Sequence, residues 1–162
     1  MSIFEFAMKM EQDGEKFYRE LTEKTQNAGL KQIFTRLADE EVKHYTLFKG
    51  LLESQTMDYD STDILGASKN IFTEMNAAGA LDVSNDVSQI EGYQFALEME
   101  KKAYTFFEEK SEEATDPKEK EFLEVIAKEE RRHYRLIESI IEFVSQPETW
   151  VENAEFNHLT EY

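Results

Sequence analysis

Two of the three histidines in the sequence stand in the same motif, Ala-x-Glu-Glu-x-x-His-Tyr, which occurs once in each half of the chain. The second glutamate of the motif precedes the histidine by three residues, which on a helix is close to one turn, so both side chains can reach one common centre. In both halves a further glutamate stands 30 residues before that glutamate. The six residues are Glu11, Glu41, His44, Glu100, Glu130 and His133.

Carboxylates and imidazoles of this kind bind metal ions. With 100° per residue on a helix, all six side chains point towards the apolar face of their own helix. Four ionised carboxylates buried together would each cost several kcal/mol and would repel one another. Two divalent cations would balance the four negative charges, and protonated buried carboxylates are the alternative. The chain has no cysteine, so the oxygen and imidazole donors favour iron or manganese and would also accept zinc.

The apolar residues that must position these groups recur every three or four positions in four long stretches, which predicts an all-α fold. The predicted helices span about residues 3–26, 30–53, 88–114 and 117–145. Ser2 with Glu5 and Asp116 with Pro117 form start signals for the first and last helices. The same period assigns Phe95 to the inner face of the third helix. Helices of about 36 Å suit a four-helix bundle.

Two segments fall outside these helices. Residues 54–87 form a connection long enough to cross the height of the bundle, and the apolar spacing at 64–75 predicts a short extra helix within it. The tail at 147–162 is rich in aromatic residues, so we expect it to cover the bundle, with partner docking as the alternative. His158, in that tail, is expected at the surface.

The two halves of the chain repeat one another. A shift of 89 positions aligns both histidine motifs and makes about 15 of the 50 residues at 4–53 identical to their counterparts. The sequence therefore predicts two copies of one helical hairpin, related by a pseudo-two-fold axis. Glu40 and Glu129 lie about 80° from the inner direction of their helices. We expect them to be solvated or to lie just outside the metal site, so that Glu40→Ala leaves metal binding nearly intact.

The composition restricts the possible partners. The 162 residues fit a single domain, 1–162, and 35 acidic against 18 basic residues give a net charge of −17. Such a charge repels nucleic acids and anionic membrane surfaces. No apolar stretch reaches the 18 residues of a membrane span. We therefore expect no nucleic-acid partner, no membrane association and a cytoplasmic location.

The segments at 9–18 and 38–44, with their counterparts in the second half, resemble rubrerythrin, within the ferritin-like superfamily of di-iron and di-manganese proteins. The resemblance covers about residues 3–144. Its motifs are specific for the metal site and less so for the reaction. It implies a ferritin-like four-helix bundle that holds two iron ions.

The resemblance also implies a role for each residue. Glu11 and Glu100 would be terminal ligands, and Glu41 and Glu130 would bridge the two ions. His44 and His133 would each bind one ion. Tyr18 resembles a family tyrosine that hydrogen-bonds near the site, although core packing alone would also explain it. The second half has Phe107 in its place.

Two departures from the family pattern bear on the reaction. Full-length rubrerythrins carry a cysteine-ligated rubredoxin module that delivers electrons, so this cysteine-free chain would need an external, rubredoxin-like donor. Typical rubrerythrins also have an extra glutamate one turn after the ligand of the third helix, where this sequence has Ala103. The ligand set then resembles bacterioferritin and other oxidase-type centres, which weakens the assignment to peroxide reduction.

Three functions fit such a centre. The first is an oxidoreductase that reduces hydrogen peroxide or O₂ at two iron ions with electrons from an external donor. The second is iron binding or storage, with the centre acting as a ferroxidase. The third is a metal-stabilised scaffold whose acidic faces bind a basic partner. We also expect a homodimer, because the connection at 54–87 could carry one hairpin across to a neighbouring chain.

Overall fold

The computed structural model describes residues 2–53, 63–78 and 83–146, which are mostly helical, with no strand among them. The helices are α1 (Ile3–Lys24), α2 (Ala28–Leu52), α3 (Ile64–Ala77), a 3₁₀ helix (Ser84–Gln89), α4 (Ile90–Glu113) and α5 (Pro117–Ser145). The expectations for the tail at 147–162, including His158, lie outside the described residues, as do parts of the connection, at 54–62 and 79–82.

Side-chain caps define the beginnings of three of the long helices. Ser2, Asn27 and Asp116 each accept a hydrogen bond from a backbone N–H in the first turn of α1, α2 and α5, at 3.0–3.1 Å. Such caps satisfy donors that the helix itself cannot satisfy. The observed bounds of the four long helices agree with the predicted ones to within two residues. Residues 88 and 89, predicted to open α4, belong to the 3₁₀ helix that leads into it.

The four long helices form two hairpins, α1 with α2 and α4 with α5, each packed along its length. Phe6 contacts Phe106, and Phe17 contacts Phe95, with ring centroids 5.0 and 4.9 Å apart. Phe6 precedes Phe17 along α1, whereas their partners Phe106 and Phe95 follow the opposite order along α4. The two helices are therefore antiparallel. The predicted all-α bundle of two hairpins with a long connection is confirmed.

The helix α3 is the short extra helix predicted within that connection. It buries Ile71, Phe72 and Met75 and packs against α2 and α5. The ring of Phe72 meets that of Phe143, near the end of α5, with centroids 5.3 Å apart. The connection therefore adds to the core of the bundle.

The core consists of two apolar clusters with a polar layer between them. One cluster includes Phe34, Tyr93 and Ile140, and the other includes Phe48 and Leu123. On each long helix, the predicted metal-binding residues lie between the residues of one cluster and those of the other. The fold thus places these polar groups at one level, with apolar packing above and below.

One predicted inner residue lies elsewhere. Phe95 is 60% exposed, so its assignment to the inner face of α4 is wrong. It lies at the edge of the apolar stripe, on the seam between α1 and α4, where its ring contacts that of Phe17. These two helices make few contacts with each other, and the seam leaves Phe95 accessible to solvent.

Candidate metal centre

Four helices bring all six predicted residues together. Each of these side chains is at most 4% exposed. They form two overlapping groups in which the potential ligand atoms all lie within 4.8 Å of one another. The groups are Glu11, Glu41, His44 and Glu130, and Glu41, Glu100, Glu130 and His133. Two glutamates, Glu41 of α2 and Glu130 of α5, belong to both groups.

A glycine in α1 makes room for one of the shared carboxylates. A Cβ atom built on Gly14 would lie 2.8 Å from Oε2 of Glu41, closer than real Cβ atoms approach such an oxygen. Glycine is unfavourable within a helix by about 1 kcal/mol relative to alanine. Its position here is explained by the close approach of Glu41. The equivalent position in α4 is Ala103.

The two histidines have the same orientation. Nε2 of His44 donates a hydrogen bond to Glu129 at 2.6 Å, and Nε2 of His133 donates one to Glu40 at 2.9 Å. In both histidines Nδ1 faces the glutamates: Nδ1 of His44 lies 2.8 Å from Oε1 of Glu130. A carboxylate that accepts from one ring nitrogen fixes the tautomer in which the other nitrogen can bind a metal.

The positions of Glu40 and Glu129 require a correction. They are only 6% and 1% exposed, so the expectation that they are solvated is wrong, and the alternative, just outside the predicted ligands, is right. Each points across the seam between α2 and α5 to the histidine of the other hairpin, a direction that the phase of a single helix does not reveal. The recurrence of the Glu-Glu pair in both halves was the available signal. Because Glu40 contacts His133, we no longer expect Glu40→Ala to leave metal binding nearly intact.

The four glutamates Glu11, Glu41, Glu100 and Glu130 form what we call the carboxylate cluster. Burial, with repulsion by Glu130, raises the pKa of Glu11 to about 7. Burial and neighbouring carboxylates also raise the pKa values of Glu41 and Glu100 well above the usual range. Burial alone would raise the pKa of Glu130, but close contact with Glu100 and His133 and the hydrogen bond from His44 outweigh it and hold that pKa well below the usual range. Without metal, the cluster therefore retains protons.

The histidines show the complementary effect. Burial alone would lower their pKa values, but the charge of Glu11 beside His44 and that of Glu100 beside His133, with their hydrogen bonds, raise both well above the usual range. Without metal, the imidazoles are therefore protonated and serve as the cations of the site. A metal ion would take over that role, since a ligating histidine must be neutral.

Four buried atoms of the site make no well-formed hydrogen bond among the described residues: Glu11 Oε2, Glu41 Oε1, Glu100 Oε2 and His133 Nδ1. Nδ1 of His133, for example, lies 3.4 Å from Oε1 of Glu41. Buried polar atoms without a well-formed hydrogen bond are rare in folded proteins and call for a bound group. All four belong to residues of the two ligand groups. Carboxylate oxygens and imidazole nitrogens without sulfur are the donors preferred by iron and manganese and accepted by zinc. The residues thus fit divalent metal ions.

Tyr18 lies directly beside the carboxylate cluster. It is fully buried, and its hydroxyl donates a hydrogen bond to Oε1 of Glu100. Burial, with the charge of Glu100, raises the pKa of Tyr18 well above its usual value, so the hydroxyl stays protonated. The equivalent residue, Phe107, stacks on Phe48 with centroids 5.4 Å apart and offers no hydroxyl to Glu11. The two halves of the site therefore differ in one hydrogen-bond donor, the hydroxyl of Tyr18.

A cavity of about 380 Å³ reaches the carboxylate cluster from the seam between α1 and α4. All four cluster glutamates line it. Its apolar walls are formed by Phe6, Met10, Met99, Ala103 and Phe106. The carboxylate cluster therefore lies at the inner end of a cavity that a small molecule can enter.

Comparison with known families agrees with this geometry. The Rubrerythrin family model matches residues 2–141, a range that includes all six residues of the site. The chain belongs to the rubrerythrin family. The resemblance seen in the sequence is thereby confirmed, and with it membership of the ferritin-like di-iron proteins. Comparisons with curated proteins and with solved structures gave no significant match. Within the described part of this rubrerythrin-family chain, no helix is long and apolar enough to cross a membrane.

The contact between Glu129 and His44 leads to a prediction for this rubrerythrin site. Glu129→Ala should weaken zinc binding by about 10–100-fold, because His44 loses the partner that fixes its ring. Glu129→Gln should recover part of the loss, since its carbonyl can still accept from Nε2. Competition with a chromophoric chelator measures the affinity. Glu124→Ala, at a side chain of the same helix that is 49% exposed, is the control. Equal affinities for Glu129→Ala and the unmodified protein would show that this hydrogen bond is irrelevant to the metal.

Proposed function

We propose that this rubrerythrin-family protein holds two iron ions and reduces hydrogen peroxide or O₂. Manganese or zinc would fit the same donors. Glu41 and Glu130 would bridge the ions, because within the described residues they are the glutamates common to both ligand groups. One terminal glutamate and one histidine would complete each ion: Glu11 with His44, and Glu100 with His133.

The observation that carries this proposal is a pair of shared carboxylates at the inner end of an open cavity. Two ferrous ions bound by the same carboxylates would supply two electrons to one oxidant. Reduction of hydrogen peroxide consumes two electrons and two protons, breaks the O–O bond and gives two molecules of water. The cavity gives a small oxidant a path to the site that a closed structural site would not offer.

The residues around the ions would hold the site in place and control its protons. Glu129 and Glu40 accept from Nε2 of the histidines and would direct Nδ1 towards the ions. Tyr18 donates to Glu100 and would keep that carboxylate in a fixed orientation while holding a proton at its hydroxyl. The apolar walls of the cavity would limit access of water to the reduced site.

Electrons would come from another protein. The chain has no cysteine and therefore cannot itself form a cysteine-ligated iron–sulfur centre, so we propose a rubredoxin-like donor. The homodimer, in swapped or unswapped form, and the cytoplasmic location are likewise proposals. The net charge of −17 favours a donor whose docking face is basic, because opposite charges speed association.

Stopped-flow absorption after mixing the anaerobic diferrous protein with hydrogen peroxide or O₂ tests the proposal. We expect rapid oxidation by at least one oxidant and repeated turnover when reduced rubredoxin is supplied. Tyr18→Phe should slow the oxidation, whereas Tyr104→Phe, at a ring that packs against Tyr134 and Arg131, should not. Oxidation by O₂ without turnover, followed by uptake of iron beyond two ions per chain, would instead establish the storage function. A centre inert to both oxidants would leave only the scaffold.

A further inference from the structure

The cavity is larger than the proposed oxidants require. Its volume is about 380 Å³, whereas one water molecule takes up about 30 Å³ in the liquid. Two metal ions and a molecule of hydrogen peroxide would occupy only the inner end, next to the carboxylate cluster. The outer part, between α1 and α4, has room for a further group of several carbon atoms.

The walls of this outer part are suited to an apolar group. Phe6 and Phe106 lie in contact, with ring centroids 5.0 Å apart, and Met10 and Met99 also line the cavity. Ala103 contributes only a methyl group, so the space beside it stays open. An apolar enclosure with a few polar groups at one end is the usual form of a small-molecule site.

The charges at the site favour a ligand with an uncharged head. The proposed metal ions would balance the four carboxylates at the inner end, but the whole chain has a net charge of −17. An anionic ligand would therefore be repelled as it approaches the protein. Asp13 and Lys102 line the cavity as well, and their opposite charges add no net preference for an ion.

We propose that the outer cavity binds the hydrocarbon group of an organic hydroperoxide, R–O–O–H, with R the size of a phenyl or short alkyl group. The peroxide head then lies next to the carboxylate cluster. The reaction rests on the proposed function: the O–O bond breaks, two electrons come from the external donor protein, and two protons are taken up. The products are the alcohol R–OH and one molecule of water. Binding of the hydrocarbon group does not depend on that reaction.

Calorimetric titration with 2-phenyl-2-propanol, the alcohol that corresponds to cumene hydroperoxide, tests the binding without any turnover. We expect saturable binding to both metal-free and zinc-loaded protein. Ala103→Leu fills the cavity and should weaken binding at least tenfold. Phe6→Ala removes one wall at a residue that is 44% exposed, so the fold should survive, and it should weaken binding several-fold. Thr105→Leu adds similar bulk on the exposed side of α4 and should bind as the unmodified protein does.

Kinetics of the iron-loaded protein separate this inference from the proposed function. Ala103→Leu should lower kcat/KM for cumene hydroperoxide about tenfold more than it lowers kcat/KM for hydrogen peroxide, which needs less of the outer cavity. If neither peroxide is reduced but the alcohol binds as expected, the proposed function is wrong and the binding site stands. Absence of alcohol binding to the unmodified protein, or equal binding by all three variants, would overturn the inference even if hydrogen peroxide is reduced.

Discussion

Glu41→Ala is expected to abolish binding of both metal ions. Glu41 belongs to both ligand groups, so its loss removes one donor from each ion and leaves three carboxylates to balance four positive charges. The metal-free variant should unfold at the same temperature as the unmodified metal-free protein, or at a higher one, because burial raises the pKa of Glu41 and makes its charge costly. Mass-spectrometric metal analysis after anaerobic loading and dialysis, together with thermal unfolding, measures both effects.

A matched control lies two residues earlier on α2. The side chain of Asp39 is 57% exposed and pairs with Arg19 at the surface, where such pairs contribute at most about 1 kcal/mol. Asp39→Ala should therefore retain the full metal content. Retention of two ions by Glu41→Ala would show that Glu41 is not shared. Equal metal loss from both variants would show that the helix phase has been misread.

Removal of the metal is expected to cause the largest change in stability. A ligand present at a thousand times its Kd stabilises the folded state by about 4 kcal/mol per site. For a chain of this length each kcal/mol shifts Tm by about 2–4 °C, so two sites correspond to about 15–30 °C. Differential scanning calorimetry with and without a strong chelator, at pH 7.5, measures the shift. Glu41→Ala should show no such difference.

The difference in Tm between the metal-bound and metal-free protein should grow as the pH rises. Burial raises the pKa of Glu11 from 4.5 to about 7 in the metal-free fold, so proton binding stabilises that fold fully below about pH 4.5. This stabilisation, about 3 kcal/mol for such a change in pKa, is lost as the pH rises through about 7. The metal-bound fold becomes more stable over the same pH range, since metal binding requires deprotonated ligands. A difference in Tm that is independent of pH between 5 and 8 would contradict this role of Glu11.

The sequence was sufficient to predict the helices and the six buried residues that meet between the two apolar clusters. Apolar periodicity and caps such as Asn27 and Asp116 act locally, so the bounds of the long helices follow to within two residues. The six predicted residues meet because the repeat places equivalent residues at one height in both hairpins. An isolated Glu-x-x-His would have carried little weight in so acidic a chain.

What the sequence did not reveal depends on how the hairpins pack against each other. Glu40 and Glu129 leave the inner direction of their own helices and reach the histidine of the other hairpin. Phe95 lies on the seam between α1 and α4, where few contacts cover it. The cavity in the same seam is likewise a property of two helices together. The phase of a single helix contains none of this information.

Anomalous diffraction from crystals of the iron-loaded protein, recorded on both sides of the iron absorption edge, tests the binuclear site most directly. We expect two iron peaks within the bundle, each bound by Nδ1 of one histidine and one terminal glutamate, with Glu41 and Glu130 reaching both. A single peak, or iron bound only at the surface while the six side chains keep their hydrogen bonds to one another, would contradict the assignment.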